Sequence, residues 1–379
     1  MRIGIDATAL PARPVGAGHY IIQLIRAFAR QPLDDEFVVF VQRHGLPLLD
    51  LPTGSASPAL QIISLPDTPP ARRLAWEQTT FPRLAAQQRL DVLHSLHYTL
   101  PLAYPGKRVV TLHDMTFFLY PKLHTLPKRY FFRFFIHTSG RLADALVADS
   151  ESTRQDAIRL ANIAPQKLFT APLGVTADFE PLDTTSAKAQ AVRQKYNLPE
   201  QFVLYVGLIE PRKNIPTLLQ AFAQVSSQFP DCRLVLAGRR GWMVESLDQQ
   251  VADLGLAEKV HFAGYIERED LPMVFNLAEC FVYPSFYEGF GLPVLEAMAC
   301  GVPVITSNVS SMPEIIGDAG MQVSPHDSAG LAGALHSLLS DPTERKRLSA
   351  LGRERAALFT WQRTADLTRL AYRYALGQA

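Results

Sequence analysis

The chain has 379 residues, 47% hydrophobic and 19% charged, with 37 Lys and Arg against 36 Asp and Glu. Those values describe a globular protein of about two domains and exclude disordered, fibrous and strongly basic nucleic-acid-binding classes, so no nucleic-acid partner is expected. Cys232, Cys280 and Cys300 form no CxxC pair, which removes zinc ribbons and thioredoxin-type motifs.

Short β-rich runs alternate with segments of helical period, the pattern of parallel sheets covered by helices on both faces. Strands are predicted at 2–6, 37–42, 60–64, 92–95, 108–112, 145–149 and 167–171, with helices between them such as 18–30 and 72–89. A second series follows at 202–206, 233–237, 259–263, 280–284, 302–306 and 320–323. The fold class is therefore α/β, with two doubly wound domains in tandem, 1–180 and 181–360. Between the series, 172–200 contains Gly174, Pro181 and a polar 184–189 stretch, which reads as a hinge followed by a short helix. The final segment, 361–379, holds an apolar helix expected to cross back to the first domain. The stretch 2–5 is too short for a signal segment and no apolar run approaches the ~20 residues that span a bilayer, so a cytoplasmic protein is expected.

The richest motif is Tyr283-Pro-Ser-Phe-Tyr-Glu288-Gly-Phe-Gly-Leu-Pro-Val-Leu-Glu296, a strand end, a glycine loop and a helix start with Pro293 in its first turn. Gly289 and Gly291 let the backbone approach a ligand closely, and free N–H groups at the helix start form an anion site. The carboxylates Glu288 and Glu296 accept hydrogen bonds from vicinal hydroxyls, so two polyol groups flanking a diphosphate suit the motif. A second strand end, Tyr205-Val-Gly207-Leu-Ile-Glu-Pro-Arg212-Lys213-Asn214, sets two cations where a helix dipole disfavours them unless an anion is present. Arg212 offers a two-pronged grip and Lys213 a point charge, a combination able to neutralise a departing diphosphate. Gly16-Ala-Gly18 lies on the loop after the first strand, and Thr111-Leu-His113-Asp114 lies at the carboxyl end of another, the edge where open α/β sheets place ligands.

Taken together these motifs resemble the retaining glycosyltransferases of family 4, with the GT-B architecture of two Rossmann-like domains facing across a cleft. The E-x7-E motif is met by Glu288 and Glu296, the basic pair by Arg212 and Lys213, the glycine loop by Gly16 and Gly18, and the catalytic-centre histidine by His113. Ala148-Asp-Ser-Glu-Ser-Thr, Pro172-Leu-Gly-Val-Thr-Ala-Asp-Phe and Ala299-Cys-Gly-Val-Pro-Val-Ile extend the resemblance over almost the whole chain. Within the family the chain is most similar to bacterial polysaccharide and lipopolysaccharide mannosyltransferases, which implies GDP-mannose as donor and a glycan or lipid-linked acceptor.

The resemblance further implies that Arg212 and Lys213 hold the diphosphate and stabilise the leaving group, that Glu296 binds ribose, and that Glu288 faces the donor sugar. The backbone of Gly289, Phe290, Gly291 and Leu292 would contact sugar and phosphate, Gly16 and Gly18 would let their loop close over the diphosphate, and His113 would sit beside the reacting sugars. Retaining members need no metal, in line with the absence of a DxD triplet, and no further cofactor is implied. The displacement would be same-face, without a side-chain nucleophile.

Plainer readings stand beside these: a capped helix start for Glu288 and Glu296, a solvated turn for Arg212 and Lys213, an ordinary turn for Gly16 and Gly18, and a structural role for His113. His94 and His97 are read as structural. Asp114 either orients His113 or caps the segment after it. No G-x-G-x-x-G follows a strand, and no P-loop, GxSxG or HExxH occurs, which counts against oxidoreductases, kinases and hydrolases. A UDP-sugar donor and a non-catalytic sugar-nucleotide-binding subunit are the alternatives. Seven Lys and Arg in 107–141 face the single acid Asp114, and the aromatic, basic run 128–137 within that stretch is read either as a core helix or as an interfacial helix for anionic lipid.

Overall fold

The computed structural model describes residues 1–30, 35–51, 60–241 and 246–378. Two parallel sheets organise the chain. The first contains β1 (Arg2–Asp6), β2 (Glu36–Gln42), β3 (Leu60–Leu65), β4 (Val92–Ser95), β5 (Lys107–Leu112), β6 (Ala145–Ala148) and β7 (Leu168–Thr170), in the order β3-β2-β1-β4-β5-β6-β7. The second contains β8 (Gln201–Val206), β9 (Cys232–Ala237), β10 (Val260–Gly264), β11 (Cys280–Tyr283), β12 (Val304–Ser307) and β13 (Met321–Val323), in the order β10-β9-β8-β11-β12-β13. Each predicted strand thus has a counterpart. The reason is composition: central strands such as Phe37-Val-Val-Phe-Val41 are buried on both faces, so they read as continuous apolar runs.

The predicted helix 72–89 is two helices, Pro70–Thr79 and Phe81–Gln87. Pro82 explains the break, because its ring has no N–H for the ladder and would collide with the carbonyl four residues back. Elsewhere the helix ends follow local chemistry. Ser150 accepts the amide of Thr153 at the start of Glu151–Ala161, and Asn162 and Asn197 end their helices in the left-handed conformation.

The chain divides into two compact units, Met1–Gly174 with Thr360–Ala379, and Val175–Phe359. The sequence reading set its boundaries at 180/181 and 360/361; the tighter limits follow from backbone contact at Gly174, where an added Cβ would lie 2.1 Å from the Trp361 nitrogen. The helix Trp361–Ala375 packs in the first unit through a buried polar chain. His94 Nδ1 lies 2.7 Å from the Tyr372 hydroxyl, His94 Nε2 2.8 Å from Thr111 Oγ1, and Thr111 Oγ1 2.9 Å from the Tyr20 hydroxyl. Burial, with the charge of His113 adding to it, pushes His94 down to about 3, so this ring stays neutral and structural. Arg369 closes the same contact on Asp35 at 2.6 Å. Among the described residues no helix is long and apolar enough to cross a membrane.

Candidate active site

In the second sheet, β8 and β11 are neighbours whose onward connections run in opposite directions, the switch point at which open α/β sheets take ligands. Both strongest sequence motifs leave the sheet there. After β8, a short 3-10 turn, Pro211–Lys213, carries the basic pair, and Asn214, left-handed at φ 59°, begins the helix Ile215–Val225. Asn214 is buried and its amide donates to the carbonyls of Pro284 (3.0 Å) and Pro325 (2.6 Å), fastening the turn to the neighbouring loops. After β11, the Phe286 amide donates to the Arg212 carbonyl at 2.9 Å, so the two loops are sewn together by backbone as well.

Three charged side chains meet between these loops. Lys213 Nζ is 2.6 Å from Glu288 Oε1 and 2.6 Å from the Tyr283 hydroxyl. Arg212 Nη1 donates to Glu288 Oε2 (2.8 Å) and to the Tyr287 carbonyl (2.6 Å), while Nη2 reaches Glu210 Oε1 at 2.7 Å. The sequence reading looked for an anion to justify the basic pair at a helix start. The cations stand instead in the turn before the helix, and the anions beside them are Glu210 and Glu288.

Burial opposes the charge on Glu288, but Arg212 and Lys213 outweigh it and hold the carboxyl down to about 2. Lys213 is lowered from its ordinary value because burial and the adjacent Arg212 outweigh Glu288. Burial keeps the Tyr283 phenol neutral, so Lys213 donates to it. The loop is braced from β12's side: the Glu288 amide donates to Ser310 Oγ at 3.0 Å, and Ser311 Oγ lies against the carbonyls of Glu288 (3.1 Å) and Phe290. Gly291 at φ 123° precedes the helix Leu292–Ala299 with no room for a Cβ, which would sit 2.4 Å from the Met312 methyl. The Phe290 side chain is buried against Phe359, so only its backbone is available to a ligand.

Glu296, on that helix and 4% exposed, does not join the basic pair. It is bound by Arg268, whose Nη1 is 2.6 Å from Oε1. Burial raises the Glu296 carboxyl and Arg268 only partly offsets that.

In the first unit His113 extends β5 and is nearly buried. Its Nδ1 lies 2.8 Å from Asp149 Oδ2 and its Nε2 2.9 Å from the Leu96 carbonyl. A carbonyl only accepts, so Nε2 carries a proton, and the Asp149 contact shares a second one. Burial disfavours a charged ring, yet Asp149 and the Leu96 carbonyl outweigh it and the pKa of His113 is raised. The other carboxylate oxygen, Asp149 Oδ1, is buried without a hydrogen-bond partner among the described residues. Asp114 takes the capping role of its two readings, accepting the Thr116 amide (2.9 Å) and hydroxyl (2.7 Å). Gly16 has φ +47° in the turn before the helix Ala17–Arg30, and a Cβ on Gly18 would meet Pro14 at 2.8 Å, so packing already demands glycine at 18.

Glu210, Tyr283, Ser310, Ser311, Asn214, Arg268 and Asp149 were not singled out from sequence. Glu210 and Tyr283 lie inside the quoted motifs and were within reach of a sequence argument; Ser310, Ser311 and Arg268 belong to other loops and carried no local signal.

Residues 14–179 match the family Glycosyltransferase Family 4, and residues 188–355 match Glycosyl transferases group 1. The chain is 37% identical over 288 residues to O-antigen chain mannosyltransferase B of Escherichia coli, covering 74% of each protein. It is 33% identical over 285 residues to the serotype-specific mannosyltransferase WbdA of Escherichia coli, covering 72% of this chain and 34% of that protein, so it spans about a third of that relative. Among solved structures, sucrose-phosphate synthase from Thermosynechococcus elongatus superposes with a TM-score of 0.77 at 25% identity, covering 100% of both chains. Two sheets with the glycosyltransferase order of motifs, matched over both halves, place the chain in glycosyltransferase family 4, an enzyme of GT-B architecture that transfers a glycosyl group.

Proposed function

We propose that the enzyme moves mannose from GDP-mannose to a hydroxyl of a glycan or lipid-linked acceptor, with retention at the anomeric carbon and without a metal ion. The observation that carries this reading is the cluster at the β8/β11 switch point, where Lys213 and Arg212 each donate to Glu288. Similarity to a mannosyltransferase along 74% of both proteins supports mannose as the sugar.

In this reading Lys213 and Arg212 form the positive side of the diphosphate site, and the amides of Gly289, Phe290, Gly291 and Leu292 face sugar and phosphate. Glu288 accepts from hydroxyls of the donor sugar and Glu296 from ribose. Gly16 and Gly18 shape the loop that covers the diphosphate, and His113 lies beside the reacting sugars, its ring held by Asp149 and the Leu96 carbonyl. The bond from the anomeric carbon to the diphosphate breaks while the acceptor oxygen attacks from the same face, and the leaving phosphate takes the acceptor's proton. Glu288 is a poor nucleophile because both its oxygens are engaged by cations.

Calorimetry with GDP, UDP, ADP, GDP-mannose and UDP-glucose in EDTA tests the donor, and the product anomer read by NMR tests retention. Tight GDP-mannose binding without metal is expected; preference for UDP-glucose would replace the donor and keep the enzyme class. Glu296→Ala should weaken nucleotide binding, and unchanged affinity would remove the ribose role.

Membrane docking is part of the proposal. The helix Leu126–Leu142 packs Phe135, Ile136 and Ser139 inward, while Leu126, Tyr130 and Phe134, at helical spacing, are 63%, 63% and 57% exposed. Arg129 and Arg133 follow that stripe in the helical period and Lys128 adds charge on the same helix, a composition suited to anionic lipid at the inner face of a cell membrane. Replacing those three by alanine should reduce co-sedimentation with anionic vesicles; equal co-sedimentation would discard the idea.

A further inference from the structure

Arg268 stands in the turn before the helix Leu271–Asn276 and is fixed from three sides. Nη1 is 2.6 Å from Glu296 Oε1, the guanidinium lies 4.4 Å from the centre of the Phe179 ring, and Nη2 is 3.5 Å from Thr176 Oγ1. Thr176 and Phe179 belong to the segment directly after the Gly174/Val175 boundary between the two units. The planar fork therefore spans the start of the second unit and the carboxylate of the helix Leu292–Ala299. A stacked, hydrogen-bonded guanidinium of this kind is preorganised in a way a lysine is not.

The geometry leaves Glu296 half used. Arg268 occupies Oε1, and among the described residues Oε2 carries no hydrogen bond. A ribose offers two vicinal O–H donors, which an ionised carboxylate accepts and a protonated one accepts less well. The groups facing Glu296 are Arg268, Asp178 and Cys300. Burial and the like charge of Asp178 push this carboxyl upward, and Arg268 is the group that opposes them.

We infer that Arg268 is a positioning residue for the nucleotide: it holds Glu296 oriented so that the free carboxylate oxygen accepts the hydroxyls of the ribose. This rests on the ribose role proposed for Glu296. Arg268 itself does not touch the reacting atoms, so its loss should act on nucleotide binding and on ribose discrimination.

The test is calorimetry of the full chain with GDP and 2′,3′-dideoxy-GDP, and with UDP and 2′,3′-dideoxy-UDP in parallel. The wild type should prefer the ribose forms. Arg268→Ala should lose on the order of 10- to 100-fold in affinity for the ribose nucleotide and little for the dideoxy form, so the preference collapses as it does in Glu296→Ala. Arg268→Lys should retain part of the preference. Arg268→Gln, which keeps a stem over Phe179 but not the charge, serves if the alanine variant does not fold. Wild-type affinity and ribose preference in the Arg268 variants, with both lost in Glu296→Ala, would overturn the inference alone. Wild-type behaviour in Glu296→Ala as well would overturn the ribose role and the inference with it.

Discussion

Replacing Lys213 by alanine is expected to lower turnover by about 10²- to 10³-fold, the cost of ~3 to 4 kcal/mol typical for removing one preorganised charge-stabilising donor. The effect should be large because Lys213 is buried, 6% exposed, where its field is little screened by water. It is held by Glu288 and Tyr283, so it is already oriented before a diphosphate arrives and needs no reorganisation when charge develops on the leaving group. Lys213→Arg should not restore the rate, since the longer fork cannot occupy the place of a point charge between those two oxygens. Single-turnover kinetics of the purified variant, with its thermal unfolding measured alongside, checks this. A wild-type rate in a folded Lys213→Ala protein would remove Lys213 from the reaction.

The second large effect concerns stability. Glu288→Ala leaves the partly buried Arg212 with Glu210 as its carboxylate partner and leaves the buried Lys213 without a salt-bridge partner among the described residues. Breaking a buried ion pair by removing one partner usually costs on the order of 3 to 5 kcal/mol, because the remaining charge stays desolvated. The same network sets a pH dependence. Glu288 has an ordinary value of 4.5 and is held down to about 2 in the folded chain, so the unfolded state binds the proton more readily. Its contribution is therefore fully present above about pH 5.5 and is lost as pH falls toward 2. A shift of that size corresponds to roughly 3 kcal/mol. Urea unfolding of wild type and Glu288→Gln between pH 3 and 7 should show the stability difference between them shrinking as acid is added. A difference independent of pH would mean that Glu288 is not held ionised by its neighbours.

The two acid sites show where local sequence reading succeeds and where it stops. Arg212 and Lys213 were identifiable as adjacent cations where a helix start was expected; they stand in the turn before that helix, and Glu288, 75 residues after Lys213, lies beside them. Asp114 and Asp149 divide the other way. Asp114 follows His113 directly, yet its carboxylate is taken by the amide and hydroxyl of Thr116, so proximity in sequence does not make it the partner of the ring. Asp149 is 36 residues away, yet β5 and β6 pair with Leu112 opposite Ala148, which sets His113 and Asp149 side by side at the strand ends. The helix predicted across 72–89 is divided just ahead of Pro82, whose missing N–H and ring act locally.

By itself the sequence determined the class of fold, the strand positions and the loops that carry chemistry. Apolar runs, helical spacing, prolines and glycines act through the neighbouring backbone, and that information is contained in a short window. Tertiary structure alone decided the partners: that Glu288 lies between Lys213 and Arg212, that Glu296 belongs to Arg268, and that Tyr372 locks onto His94 across 278 residues. Those pairings follow from which strands lie side by side and which loops leave the same sheet edge. Strand order is set by the packing of the whole domain, so no short window of the chain contains it.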